Sequence, residues 1–395
     1  MLTTKRVWPV VYFLATLAFQ GVLAQETGTV KIGFVSTLSG PGAALGIDVR
    51  DGFNLALNLL GNKLGGLRAE VLVVDDQQNP EVARQIVDRF LRRDRVDFVT
   101  GIIYSNILLA VGELIFDSKT FYISPNAGPS QYAGAQCNPF FFNVAWQNDN
   151  LHEVMGYYAT QQGFENVVLI APNYQAGYDA LTGFKRFFSG RVVEEIYTRL
   201  NQLDYSAEIA RIRSLRPKAV YAFLPGGLGI SFVKQYAEAG LKGIVPLLLP
   251  GFSADQDVIQ GAGEALLGLA NSSHWALELS NSTNRRFVSE FRRAYGRIPT
   301  LYAAQGFDTA LLLDAAIREA KGQIADKESM LKALRTAKWE STRGPFRFNR
   351  NHFPIQDYYL RRVVRQADGT LVNRLVGRIL RQHQDAYVQN CRMTW

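Results

Sequence analysis

The 395-residue chain holds only two cysteines and four histidines. Two cysteines cannot build a CxxC…CxxC zinc site, an iron–sulfur cluster or a multi-bridge framework. So few histidines leave little room for histidine-rich metal chemistry. There is no GxxxxGK[ST] phosphate loop and no HExxH metal motif. Gly251-Phe252-Ser253-Ala254-Asp255 lacks the second glycine of a nucleophile elbow. Gly227-Leu228-Gly229 lacks the third glycine of a dinucleotide fingerprint, because Phe232 stands there. No local signature of an enzyme remains, and no cofactor or metal is implied. Past the N-terminus no apolar run is long enough to cross a bilayer, which takes about 20 residues. Charged residues are 20% and hydrophobic residues 47%, an ordinary globular balance that excludes a disordered or collagen-like chain. The length fits about two to three domains.

What is present begins with residues 1–24, which read as a secretory signal. Lys5 and Arg6 form a charged start, Val7 to Phe19 is mostly apolar although Pro9 interrupts it, and Val22-Leu23-Ala24 supplies a small-x-Ala cut before Gln25. The alternative is an N-terminal membrane anchor, for which the run is short. No cysteine follows the run, so a lipid anchor on that residue is excluded. Export changes the reading of Cys137 and Cys391. In an oxidising compartment they form the one possible bridge; the alternative is two separate thiols.

Val30–Val35 reads as a strand, followed by the Ser39-Gly40-Pro41-Gly42 loop and a helix from about Asp48 to Leu60. Ala69–Val74, Phe98–Ile102 and Phe121–Ile123 are predicted strands, alternating with helices over Glu81–Arg92 and Ile107–Ile115. This βαβαβαβ order means a parallel sheet covered by helices on both faces. Phe140–Ala145 reads as a connector, and the pattern then restarts. Strands are expected at Val167–Ala171, Val192–Tyr197, Ala219–Leu224 and Pro246–Leu249. The helices between and around them are Leu151–Gln162, Ala176–Phe188, Ser206–Ser214 and Ile230–Ala239. After about residue 271 come three helical stretches, Asn284–Tyr295, Ala303–Ala320 and Lys327–Thr336. Strand-like segments end the chain at Phe346–Asn349, Gln356–Arg365 and Leu371–Leu380, the last two joined by an Ala367–Thr370 turn.

The chain carries 43 Lys and Arg against 35 Asp and Glu, a formal charge of +8. Residues 285–395 hold 21 of the basic and 10 of the acidic residues, which reads as a solvated basic face, with an anionic ligand or an acidic partner surface as alternatives. The pair Asp75-Asp76 ends a strand and reads as a polar loop cap rather than a metal or base site. His152 and His274 have no evident partners and read as ordinary surface or packing residues. Glycine-rich strand-to-helix turns recur in both units, at Ser39–Gly46, Tyr104–Asn106, Pro125–Ser130, Asn173–Gly177 and Pro225–Gly229. In open α/β sheets such turns lie at the carboxyl ends of strands, where ligands bind. Their helix N-termini favour an anion such as a carboxylate.

Three stretches carry a family resemblance. They are Ile32–Pro41 with Gly46, Asp75-Asp76-Gln77 with Asn79-Pro80, and Val220-Tyr221 followed by Ala237–Leu241. On these the chain resembles a type I periplasmic solute-binding protein of the leucine/isoleucine/valine-binding family, which serves ABC importers. The resemblance implies two Rossmann-like α/β lobes joined by a three-segment hinge. Lobe one spans 29–145 and 272–356; lobe two spans 146–271 and 357–395. The crossovers are expected near Asn143–Trp146, Ala270–Ser273 and Pro354–Asp357. It also implies a soluble periplasmic monomer that works with a membrane permease and with no nucleic acid.

The family's ligand positions fall on Ser39 and Leu45 of the first loop, with Leu45 replacing an aromatic residue. Its carboxylate-binding serine matches Ser105, after Tyr104. The next carboxylate loop matches Asn126-Ala127-Gly128, where Gly128 replaces a threonine. A second-lobe tyrosine matches Ala176, with Tyr174 beside it, and another falls at Pro225. The glutamate that recognises the α-ammonium matches Gly251 or Phe252, and Tyr302 falls on an aromatic wall. The carboxylate half is thus partly kept and the ammonium half lost. A ligand ammonium buried without its counter-charge costs several kcal/mol. Pro225–Gly229 and Trp146–Asp149 resemble the branch that binds aromatic carboxylates. The expected ligand is therefore a small organic anion, with an amino acid or amide as the alternative. A sensor feeding a separate receptor is a further alternative.

Overall fold

The structure is a computed structural model that describes residues 2–4 and 28–394. The expected signal segment, residues 1–24, lies outside the described residues except for 2–4. Two sheets organise the chain. The first is built from β1 (Thr29–Ser36), β2 (Lys63–Leu64), β3 (Leu67–Asp75), β4 (Phe98–Thr100), β5 (Phe121–Ser124) and β6 (Phe141–Asn143). The second is built from β7 (Asn166–Pro172), β8 (Arg191–Thr198), β9 (Ala219–Ala222), β10 (Leu247–Pro250), β11 (Ala270–Ser273), β12 (Arg347–Phe348), β13 (Pro354–Arg365) and β14 (Leu371–His383).

The first sheet runs β2-β3-β1-β4-β5-β6 and the second β12-β13-β11-β10-β9-β7-β8, with β14 on the far side of β13. In each, the leading long strand lies between its two successors: β1 between β3 and β4, β7 between β8 and β9, all parallel. Those are the topological switch points where a ligand crevice opens at the strands' carboxyl ends. The inner strands β4, β5, β9 and β10 are buried along their whole length. This explains their unbroken apolar runs, since helices cover both faces.

Most expected elements are present with ends shifted by a few residues; one differs in kind, and three others have ends that the local structure moves. Phe140–Ala145 is not a plain connector: Phe141–Asn143 is a strand, parallel to β5. The expected strand at Phe98–Ile102 stops at Thr100. The helix expected from Ile230 begins at Gly227, capped by Gly226 at φ 57°, a left-handed value that glycine tolerates. The helix expected over Glu81–Arg92 ends at Arg89 and widens into a π-turn at Phe90–Asp94.

The chain passes from the first sheet to the second between Asn143 and Asn166. It returns after Ser273, because the helix Leu301–Glu319 packs along the helix Ala43–Leu59. It crosses again before β13, which pairs with β11. Buried Arg343 ties these passages together. It reaches the carbonyl of Ala145 at 3.1 Å, Gln356 Oε1 at 2.6 Å and the Asp308 carboxylate at 3.0 Å.

The tail after β14 is held on both sides. Asp385 accepts from Asn351 Nδ2 at 2.9 Å, and the Tyr387 hydroxyl donates to Asp149 at 2.9 Å. Cys137 and Cys391 form a disulfide, with Cα atoms 5.6 Å apart. Asp75 and Asp76 act as loop caps. Asp75 accepts from the N–H groups of Leu38 and Gln77, and Asp76 from the Thr37 hydroxyl and the N–H of Gln78. Among the described residues, no helix is long and apolar enough to cross a membrane.

Candidate functional site

A cavity opens between the carboxyl ends of the two sets of strands. The turns after β1, β4, β5 and β6 supply one side, and those after β7, β9 and β10 the other. Ten of the twelve expected positions line it: Leu45, Tyr104, Ser105, Asn126, Ala127, Tyr174, Ala176, Pro225, Phe252 and Tyr302.

Two expected positions do not. Ser39 is exposed on the first loop, on the Asp75 side. Gly128 lies behind the wall: its N–H donates to Asn148 Oδ1 at 3.0 Å, and a Cβ there would sit 2.3 Å from the Trp146 carbonyl. A threonine on this backbone would clash with that carbonyl.

Sequence reasoning missed Ile103, His152 and Phe223 as lining residues, and treated Trp146 and Asn148 only as part of a resemblance. His152 is not a surface residue. It is buried, its Nδ1 meets the Tyr221 hydroxyl, and its ring packs 4.9 Å from Phe223 and 5.6 Å from Phe252. His274 is also buried, edge-on to Trp146 at 4.8 Å, so it packs rather than facing solvent.

The walls are aromatic. Trp146 meets Phe252 edge to face at 4.5 Å, Phe223 meets Phe252 at 5.5 Å, and Phe252 lies 6.4 Å from Tyr302. Tyr104 and Tyr174 approach from opposite sheets to 6.0 Å. Such rings favour an apolar, flat occupant. No lysine, arginine, aspartate or glutamate side chain lines the cavity, and none of the basic residues of 285–395 reaches it. Burial holds the imidazolium pKa of His152 down to about 3, so this side chain is neutral as well.

Asn126 brings a buried Oδ1 without a partner among the described residues, and donors gather at the start of one helix. The helix Ser105–Asp117 starts at the cavity without a side-chain cap, and the N–H groups of Ser105 and Asn106 have no partner among the described residues. The Ser105 Oγ accepts from Asn148 Nδ2 at 3.0 Å, which leaves its own proton free to donate. The aligned peptide dipoles place partial positive charge at this end. A helix start with free N–H groups and a serine hydroxyl can hold a carboxylate without a cationic side chain.

Asn148 continues outward. Its Nδ2 also donates to Asp179 Oδ2 at 2.8 Å. Asp179, on the helix Gln175–Phe187 beside β7, further accepts from Ser130 N at 3.2 Å, Ser130 Oγ at 2.8 Å and Gln175 Nε2 at 2.8 Å. Ser130 follows β5, so these bonds join the two sheets' loops. A second tie lies at Asp255, which accepts the Leu301 N–H at 2.5 Å and pairs with buried Arg361 at 3.0 Å. A third is the Gly227 N–H to the carbonyl of Pro41 at 3.3 Å. Among the described residues, no group of three or more His, Cys, Asp or Glu side chains could hold a metal ion.

The fold thus sets twin switch points around one cavity. Residues 29–370 match the periplasmic binding protein family, and the chain belongs to it. The protein is a solute-binding component of an ABC transporter and not an enzyme.

It is similar to a solute-binding protein of R. palustris solved in complex with benzoate: 31% identical, 93% of this chain and 100% of that one covered, TM-score 0.87. A solute-binding protein of Rhodopseudomonas palustris BisB5, solved in complex with 3,4-dihydroxybenzoic acid, is 27% identical with a TM-score of 0.85, covering 91% and 99%. The Leu/Ile/Val-binding protein homolog 6 of Brucella melitensis is 27% identical over 359 residues, 89% of this chain and 92% of that one.

Proposed function

We propose that the protein captures a benzoate-type aromatic carboxylate between two lobes, 29–145 with 272–356 and 146–271 with 357–395, and delivers it to its permease. The supporting observation is the makeup of the cavity: aromatic walls, uncapped helix N–H groups beside Ser105, and no charged side chain. The carboxylate sits at Ser105 and Ala127, with its ring among Trp146, Phe223, Phe252 and Tyr302. The similarity to benzoate-bound proteins points the same way.

One observation favours an amino acid instead. Both carboxylate oxygens of Asp257 are buried without a hydrogen-bond partner, and this group acts electrostatically on Tyr104 and Tyr302. Burial, with Asp255 and Asp48 nearby, holds its carboxyl well above the usual range, which disfavours the charged form that an ammonium would need. It does not line the cavity.

A thermal-shift panel of benzoates, cinnamates, branched-chain and aromatic amino acids and dicarboxylates separates the two readings. A ligand at about 100 times its Kd adds roughly 2.7 kcal/mol. Stabilisation by aromatic acids with leucine silent supports the proposal. Stabilisation by leucine or valine without any aromatic acid overturns it.

A further inference from the structure

Two polar side chains line the cavity from the second sheet's side, Tyr174 and His152, and a neighbouring hydroxyl fixes the proton of His152. His152 opens the helix Asn150–Gln161, which packs on β10 and β11, whereas Ser105 opens a helix of the first sheet. The Tyr221 hydroxyl on β9 is its Nδ1 partner. Tyr221 is fully buried, its ring stacked 4.4 Å from Phe184, and its hydroxyl has no other partner among the described residues. The phenol must place its proton, and Nδ1 is the available acceptor. A neutral imidazole that accepts at Nδ1 carries its own proton at Nε2. Nε2 has no partner among the described residues and is not sealed off, on a side chain that lines the cavity.

We infer that His152 is a specificity-determining residue: its Nε2–H, fixed by Tyr221, donates to an oxygen on the aromatic ring away from the carboxylate. The protein therefore prefers an oxygen-substituted benzoate to benzoate. This rests on the aromatic-carboxylate reading of the same cavity. The physical reason is asymmetric. A ligand without that oxygen leaves a buried donor unpaired, which a site built around a hydrogen bond penalises strongly. Tyr221 is a positioning residue that acts through His152.

The test is calorimetric titration of the full mature protein with benzoate, 4-methylbenzoate, 3-hydroxybenzoate and 4-hydroxybenzoate. Wild type should bind one hydroxybenzoate at least about tenfold more tightly than benzoate and 4-methylbenzoate. In His152→Phe the ratio should fall to about one while benzoate still binds. Tyr221→Phe should lower the ratio part of the way. The imidazole 15N spectrum should show His152 protonated at Nε2 in wild type and as mixed tautomers in Tyr221→Phe, a readout that remains should His152→Phe fail to fold. Benzoate binding with an unchanged ratio in His152→Phe, or a wild type protonated at Nδ1, overturns the inference alone. Failure of every acid to bind wild type overturns it together with the reading beneath it.

Discussion

Asp179 is where closure and ligand capture should be separable. Four donors converge on its carboxylate, and two of them, the N–H and hydroxyl of Ser130, come from the other sheet's loop. The third, Asn148, also holds Ser105 at the cavity. Hinge opening between the two proposed lobes, the usual motion of two-lobed binders, would break the Ser130 bonds and leave the Gln175 bond intact. Hydrogen bonds to a charged group contribute about 1.5–3 kcal/mol each, less where water replaces the lost partner. Asp179→Ala should therefore weaken binding of a benzoate about 10- to 100-fold. Because the interlobe pair exists only when closed, the ligand-free melting temperature should fall much less than the affinity does. Calorimetric titration gives the first quantity and thermal unfolding the second. An unchanged Kd with a large loss of ligand-free stability would refute the reasoning, because Asp179 would then hold one lobe together rather than the two closed.

Three further outcomes follow from the geometry. The Cys137–Cys391 bridge closes a sequence separation of 254 residues; replacing both cysteines by serine should cost about 5 kcal/mol in the chain-entropy model, read by chemical denaturation. Gly128→Thr should not rebuild a carboxylate site, because its Cβ meets the Trp146 carbonyl; overpacking of this kind costs about 1–3 kcal/mol and should appear as a lower melting temperature. His152 is neutral when folded, with its pKa held near 3 by burial, whereas the unfolded side chain takes up a proton as pH falls below about 6.5. Stability from this group is thus lost as pH drops, and His152→Phe should gain about 2 kcal/mol on wild type between pH 7 and pH 5. A constant difference across that range would contradict a buried neutral imidazole.

Much of this arrangement was legible in the residues. Val30–Val35 and Phe121–Ile123 are apolar runs bounded by turns, and they are buried parallel strands because helices flank them; Ala69–Val74 also pairs in parallel with β1 but is only half-buried, with Val73 exposed. The turns at Tyr104-Ser105 and Asn126-Ala127 follow β4 and β5, and strand order alone brings them to the cavity. β6 was hidden because Phe140–Ala145 is short and lies between Pro139 and a chain crossing, with neither a period nor a turn to mark it.

His152 was hidden for a different reason. Its orientation depends on Tyr221, 69 residues away, and no local pattern records such a pair. Asn148 likewise takes its meaning from Gly128, Ser105 and Asp179, which only the folded chain brings together. Ser39 misled because the chain turns at Gly40 before the helix Ala43–Leu59 begins, leaving the serine exposed and Leu45 of that helix inside.

The central claim is that the cavity binds a carboxylate on an aromatic ring and offers no counter-charge to an ammonium. Isothermal titration of one preparation of the mature protein with benzoate and then with leucine tests it most directly. Saturable binding of benzoate with no heat from leucine is the predicted result. Tight binding of leucine with benzoate silent would contradict it, and would require an ionised carboxylate facing the ligand where the structure places only neutral side chains.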